Sequence, residues 1–173
     1  PVFSADMQSI VFNPEWTVPP TILVKDMLPK IQRDPGYLAA NRIRALDREG
    51  NVLDPATVDW SNARGITLRQ DAGPDGSLGQ VAIRFPNEYS IYLHDTPTRN
   101  LFTGRKRTLS HGCVWVEKPI DLADYVLAGQ EGWNEMKVRQ AMVSTHSATD
   151  GASADGNTVT LQRPVPVYLV YLT

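Results

Sequence analysis

Apolar positions along this chain fall in short runs broken by turn residues, which predicts strands joined by tight loops. Thirteen prolines and twelve glycines supply the breaks. Ser9-Ile10-Val11-Phe12 is a short apolar run that stops at Asn13-Pro14. In the run Gly79 to Phe85, Val81, Ile83 and Phe85 alternate with other positions, predicting a strand with one buried face. Ser90 to His94 and Cys113 to Val116 read as further strands, and Thr67 to Gln70 as another. Thr158 to Leu161 and Val165 to Thr173 read as a β pair bent at Arg163-Pro164.

Helical spacing enters in a few places. Pro19-Pro20 precede Leu23, Met27 and Ile31 on one helical face, and Pro29 is expected to kink or end that helix. Tyr37 to Ile43 reads as a second short helix, and Arg44 to Ser61 as a polar segment with turns at Gly50-Asn51 and Asp54-Pro55. Pro119 opens a helix through Ala128 with Ile120, Ala123 and Leu127 on one side. Asn134 caps another carrying Met136, Val138 and Met142. Thr96 to Arg107 reads as a basic loop and His146 to Asn157 as a polar, mobile one. The expected fold is α+β, mainly β.

Composition changes this picture little. The chain has 173 residues, 42% hydrophobic and 21% charged, with a net charge of −2. It is read as one domain that gives no reason to expect nucleic acid as a partner. No apolar run approaches the roughly 20 residues of a membrane span. A start at Pro1 rather than methionine reads as a piece of a longer protein, and the apolar Val167 to Leu172 suggests a sheet that continues further.

The candidate chemistry lies in Leu109-Ser110-His111-Gly112-Cys113-Val114-Trp115-Val116. Cys113 is the single cysteine. A lone cysteine is either a small buried apolar residue or a reactive thiol, and its flanks favour the thiol. Gly112 permits a positive φ or a close approach. Two imidazoles compete to take the thiol proton. His111, two residues upstream, would share a face with Cys113 in an extended segment; His94 ends the strand Ile91-Tyr92-Leu93. A zinc site built on Cys113, His111 and His94 is the weaker reading, because no fourth ligand is evident. Trp60, Trp115 and Trp133 read as packing residues.

These residues resemble a family, the L,D-transpeptidase catalytic domain of YkuD type. Its motif is a histidine, about fifteen residues, then Ser/Thr-His-Gly-Cys and an apolar residue; His94 and Ser110-His111-Gly112-Cys113-Val114 match it. Phe12-Asn13-Pro14-Glu15-Trp16, Asp34-Pro35-Gly36-Tyr37, Val58-Asp59-Trp60-Ser61 and Pro164-Val165-Pro166-Val167-Tyr168 look like the larger, lid-bearing Gram-negative (YcbB-type) branch. The resemblance implies a β-sandwich with a helical capping insertion at about 21–70, and family segments before Pro1 and after Thr173.

It further implies a periplasmic enzyme without cofactor or metal that acts on peptidoglycan stem peptides. Cys113 would be the nucleophile and His94 the base, oriented by the Asp95 carbonyl, with His111 in support. Backbone N–H groups around Gly112 and Cys113 would form the oxyanion site, and Tyr92, Ser110 and Trp115 would contact substrate. Donor tetrapeptides would lose D-alanine and be joined to a diaminopimelate amine in a 3→3 cross-link. Carbapenems are the implied inhibitors, and other cell-wall synthesis proteins the implied partners. Trp115 departs from the Arg or Asn usual at its position. The alternatives are an L,D-carboxypeptidase or cross-link hydrolase, and a catalytically silent peptidoglycan-binding domain.

Overall fold

The computed structural model describes residues 1–143 and 157–170. The chain forms two compact units, Glu15–Asp71 and the remainder, each with its own sheet and apolar core. The mixed sheets with few helices match the expected α+β, mainly β class.

The larger unit is built on a five-stranded sheet of order β8-β7-β6-β1-β9. Its members are β1 (Phe3–Phe12), β6 (Val81–Arg84), β7 (Leu93–His94), β8 (Val114–Trp115) and β9 (Thr158–Leu169). β1 lies between β6 and β9 and pairs antiparallel with both. Its last three residues, Ile10, Val11 and Phe12, are fully buried. Each such side chain contributes about 1.5–3 kcal/mol by leaving water.

Helices α4 (Pro119–Leu127) and α5 (Glu135–Val143) supply Ala123, Val126, Leu127, Val138 and Met142 to the same core. Proline opens α4, and Asn134 Oδ1 caps α5 by accepting from Lys137 N at 2.9 Å. Trp133 stacks on Phe12 with ring centroids 5.4 Å apart.

Several local expectations change here. β6 buries both faces, Ala82 as fully as Val81 and Ile83. Met136 is exposed, so the core side of α5 is Val138 and Met142. The two C-terminal segments are one strand rather than a bent pair. Opposite Gln8 the register slips between Met7 and Ser9, so the break at Arg163-Pro164 is taken up as a bulge. Apart from Asn157, the loop read from His146 lies outside the described residues.

The Glu15–Asp71 unit holds a second sheet of order β2-β5-β3-β4. These strands are β2 (Trp16–Thr17), β3 (Ile43–Leu46), β4 (Val52–Leu53) and β5 (Thr67–Gln70). Its helices are α1 (Pro20–Ile22), α2 (Leu28–Arg33) and α3 (Tyr37–Ala40). Pro29 does not stop the helical path. A π-helical turn over Leu23–Met27 precedes it, and Pro29 falls in the first turn of α2, where no N–H donor is needed. α3 ends at Ala40 rather than Ile43, since Arg42 adopts φ 54° and reverses the chain into β3. Trp60 packs in this core, its Nε1 donating to Pro55 O at 2.9 Å. Arg44 joins the unit's first and last residues, its Nη2 2.6 Å from Glu15 and its Nε 2.6 Å from Asp71.

Candidate active site

β7 and β8 run parallel, with Leu93 opposite Val114 and His94 opposite Trp115. The ladder bonds are Val114 N to Tyr92 O at 3.1 Å and Val116 N to His94 O at 2.8 Å. Side chains alternate along a strand and neighbours in register share a face. This pairing therefore sets Tyr92, Cys113, His94 and Trp115 on one face, and leaves Leu93 and Val116 to the core side.

The His94 side of this face is buried. His94, Asp95 and Thr96 are only 5%, 4% and 3% exposed. His94 Nδ1 lies 2.5 Å from the carbonyl oxygen of Asp95. A carbonyl can only accept, so Nδ1 carries the proton and Nε2 is the acceptor nitrogen. Burial is the main effect that lowers His94 below the usual histidine range; the bond to Asp95 and the Asp95 charge oppose it.

Beneath it, the Asp95 carboxylate accepts from Gln80 N at 2.9 Å and Thr96 N at 2.7 Å, and pairs with the Arg99 guanidinium. Gly79, at φ 59°, makes room for it: a Cβ there would overlap the carboxylate.

The cysteine side is more open. Cys113 is half-buried; His111 and Gly112 are exposed. Gly112 has φ 135°, a backbone region glycine alone adopts readily, and open space around it. The segment bends at His111 and Gly112, so the extended run on which a shared face for His111 and Cys113 depended is not formed. Ser110 Oγ donates to Cys113 O at 2.6 Å and accepts from Gly112 N at 3.2 Å. The Ser110 hydroxyl and the Gly112 N–H are thus engaged inside the turn.

Cys113 Sγ sits 4.0 Å from Ser90 O. Ser90 is held at φ 54° in a loop organised by Asn87, whose side chain bonds Ile91 N at 3.0 Å and Ile91 O at 2.7 Å. Burial pushes the Cys113 thiol up from its ordinary value, partly offset by hydrogen bonds from the Tyr92 backbone and side chain. The Tyr92 phenol is itself raised, by burial first and then by Cys113. Its ring lies 5.6 Å from the His94 ring. Both shifts favour the neutral thiol and the neutral imidazole. Among the described residues no cluster of three or more His, Cys, Asp or Glu side chains is placed to hold a metal ion.

Residues 1–148 match the family model for the L,D-transpeptidase catalytic domain. This chain belongs to that family. Over 176 aligned residues it is 37% identical to a Haemophilus influenzae protein named "Putative L,D-transpeptidase". The alignment takes in 100% of this chain and 34% of that relative, so the chain spans about a third of the relative's length. Arg99, Gln80 and Gly79 surround the Asp95 carboxylate, and Asn87 holds the loop of Ser90, without standing in the motif. Their sequence signals were slight: a Gly-Gln pair before a strand, and a Pro-Asn turn after one.

Proposed function

We propose that Cys113 is the nucleophile of an acyl transfer on peptidoglycan stem peptides, with His94 as general base. The observation that supports this most is the β7–β8 pairing, which sets both side chains on one face with His94 Nδ1–H held by the Asp95 carbonyl.

In this reading His94 Nε2 takes the thiol proton as Sγ attacks the carbonyl preceding the terminal D-alanine of a donor tetrapeptide. Negative charge develops on that oxygen next to the Cys113 N–H. A donor of this kind contributes roughly 10²–10³ in rate where it has been removed from hydrolases. The same proton passes from His94 to the leaving D-alanine nitrogen, and a thioester remains on Cys113. The side-chain amine of a diaminopimelate on a second stem then attacks, His94 takes its proton, and the thiol is regenerated with a 3→3 cross-link formed. The Tyr92 hydroxyl steadies the sulfur when it carries charge. Trp115, beside His94, offers an indole face in place of the Arg or Asn usual in the family, suited to packing on the stem.

The Glu15–Asp71 unit fits the role of the cap found in the lid-bearing branch, and a periplasmic setting follows from the substrate. A tetrapeptide donor incubated with an amine acceptor tests the reading by product mass. Acyl–amine dimers that vanish in Cys113→Ala are expected. Tripeptide alone would make the protein a carboxypeptidase, and binding to sacculi with no thiol-dependent product would make it a silent binding domain.

A further inference from the structure

The Asp95 carboxylate is buried, charged and served by three donors, yet the orientation of His94 uses only the Asp95 main-chain carbonyl. A buried carboxylate is costly unless paired and hydrogen-bonded, so the fold invests in this one for a reason beyond the carbonyl. Arg99 supplies it. One arm of the guanidinium pairs with Asp95 Oδ1; the other donates to Glu117 O at 2.8 Å, with Val116 O at 3.5 Å. Asp95 follows β7 directly and Val116-Glu117 follow β8, so Arg99 bridges the ends of the strands that carry His94 and Cys113. Only two residue pairs define the ladder between those strands.

We propose that Arg99 is a positioning residue of the reaction. Its planar fork, fixed on the Asp95 carboxylate and the Val116–Glu117 carbonyls, sets the register of His94 against the Cys113 strand. A fork can hold both sides at once, which a lysine ammonium does poorly. The inference rests on the reading of His94 as base. The charged or titratable groups around His94 are the Asp95 carboxylate and Arg99 beyond it, Tyr92 on its own strand with Arg84 nearby, and Cys113 across the ladder. Removing Arg99 leaves the Asp95 charge uncompensated beside His94. The imidazolium is then favoured, and the acid limb of the reaction moves to higher pH.

The test is the rate of Cys113 acylation by a carbapenem against pH, in Arg99→Ala, Arg99→Lys, His94→Gln and, as a surface-charge control, Arg139→Ala. Arg99→Ala should lose roughly 10- to 100-fold in the acylation rate constant at unchanged carbapenem dissociation constant, the scale of a small misplacement of reacting groups. Its acid limb should rise. Arg99→Lys should keep the limb of the native protein, because the charge remains, and recover only part of the rate. Arg139→Ala should behave as native.

A native rate and limb in Arg99→Ala, with His94→Gln collapsed, would overturn the inference and leave the base reading standing. Native acylation in His94→Gln would sink the base reading and the inference with it. If Arg99→Ala does not fold, Arg99→Lys decides: loss of hydrogen-exchange protection at Val116 N–H, together with the reduced rate, supports the bridge. Native values of both overturn it.

Discussion

His94, Asp95 and Thr96 are 3–5% exposed, whereas every residue from Thr103 to Gly112 is exposed. The two sides of the same site are thus held by different means. On the base side, a buried carboxylate gathers two backbone N–H groups and a guanidinium around a glycine. On the nucleophile side, one serine hydroxyl and a glycine at φ 135° shape the turn before Cys113. The difference suits the roles proposed for the two groups. A general base works only if its acceptor nitrogen is aimed, and an imidazole is aimed by bonding its other nitrogen. A thiol turns about one bond and must meet a substrate arriving from solvent, so its strand can stay open.

His94→Gln removes the proposed base and should cost the largest factor, roughly 10²–10⁴ in turnover at neutral pH, the usual range for proton transfer in the transition state. Steady-state product release checks it, and a loss under 10-fold would mean the braced side is structural.

The two glycines break the comparison more finely. Gly79→Ala should destabilise the fold by about 2–4 kcal/mol, because its methyl overlaps a buried, paired carboxylate. Gly112→Ala meets open space but strains a backbone at φ 135°, so it should cost less, about 1–2 kcal/mol. It should still lower turnover by about 10-fold, through strain in the turn that presents Cys113. Equal stability losses in the two variants would erase the distinction between the sides.

The pH profile sharpens it. Catalysis needs neutral His94, and burial lowers that group, so the acid limb should fall below about 6.5. Alkylation of Cys113 by iodoacetamide follows the thiolate, and burial raises that group, so its midpoint should lie above about 8.5. The smallest effect is expected from Tyr92→Phe. Loss of the hydroxyl donor moves the alkylation midpoint further up and slows turnover a few-fold, on the scale of one hydrogen bond to a charged group.

Much of this was legible in the sequence because it is local. Pro119 and Asn134 announce their helices, while the pairing of His94 with Cys113 is what the family motif implies. The rest depends on partners distant along the chain. The burial of Ala82 depends on what packs over that face of β6, which alternation within Val81 to Phe85 cannot reveal. The single long β9 is visible only from its pairing along β1, since Pro164 and Pro166 look like breakers in isolation. Pro29 permits a helix it was expected to end, because a π-turn before it relieves the missing N–H. Arg99 sits in a stretch that reads as a plain basic loop; its role appears only once β7 and β8 lie side by side.

The central claim is that Cys113 forms an acyl-enzyme. Intact mass after incubation with a carbapenem tests it directly. One covalent adduct is predicted on the native protein and none on Cys113→Ala. No adduct on the native protein, or an equal adduct on Cys113→Ala, would contradict the account.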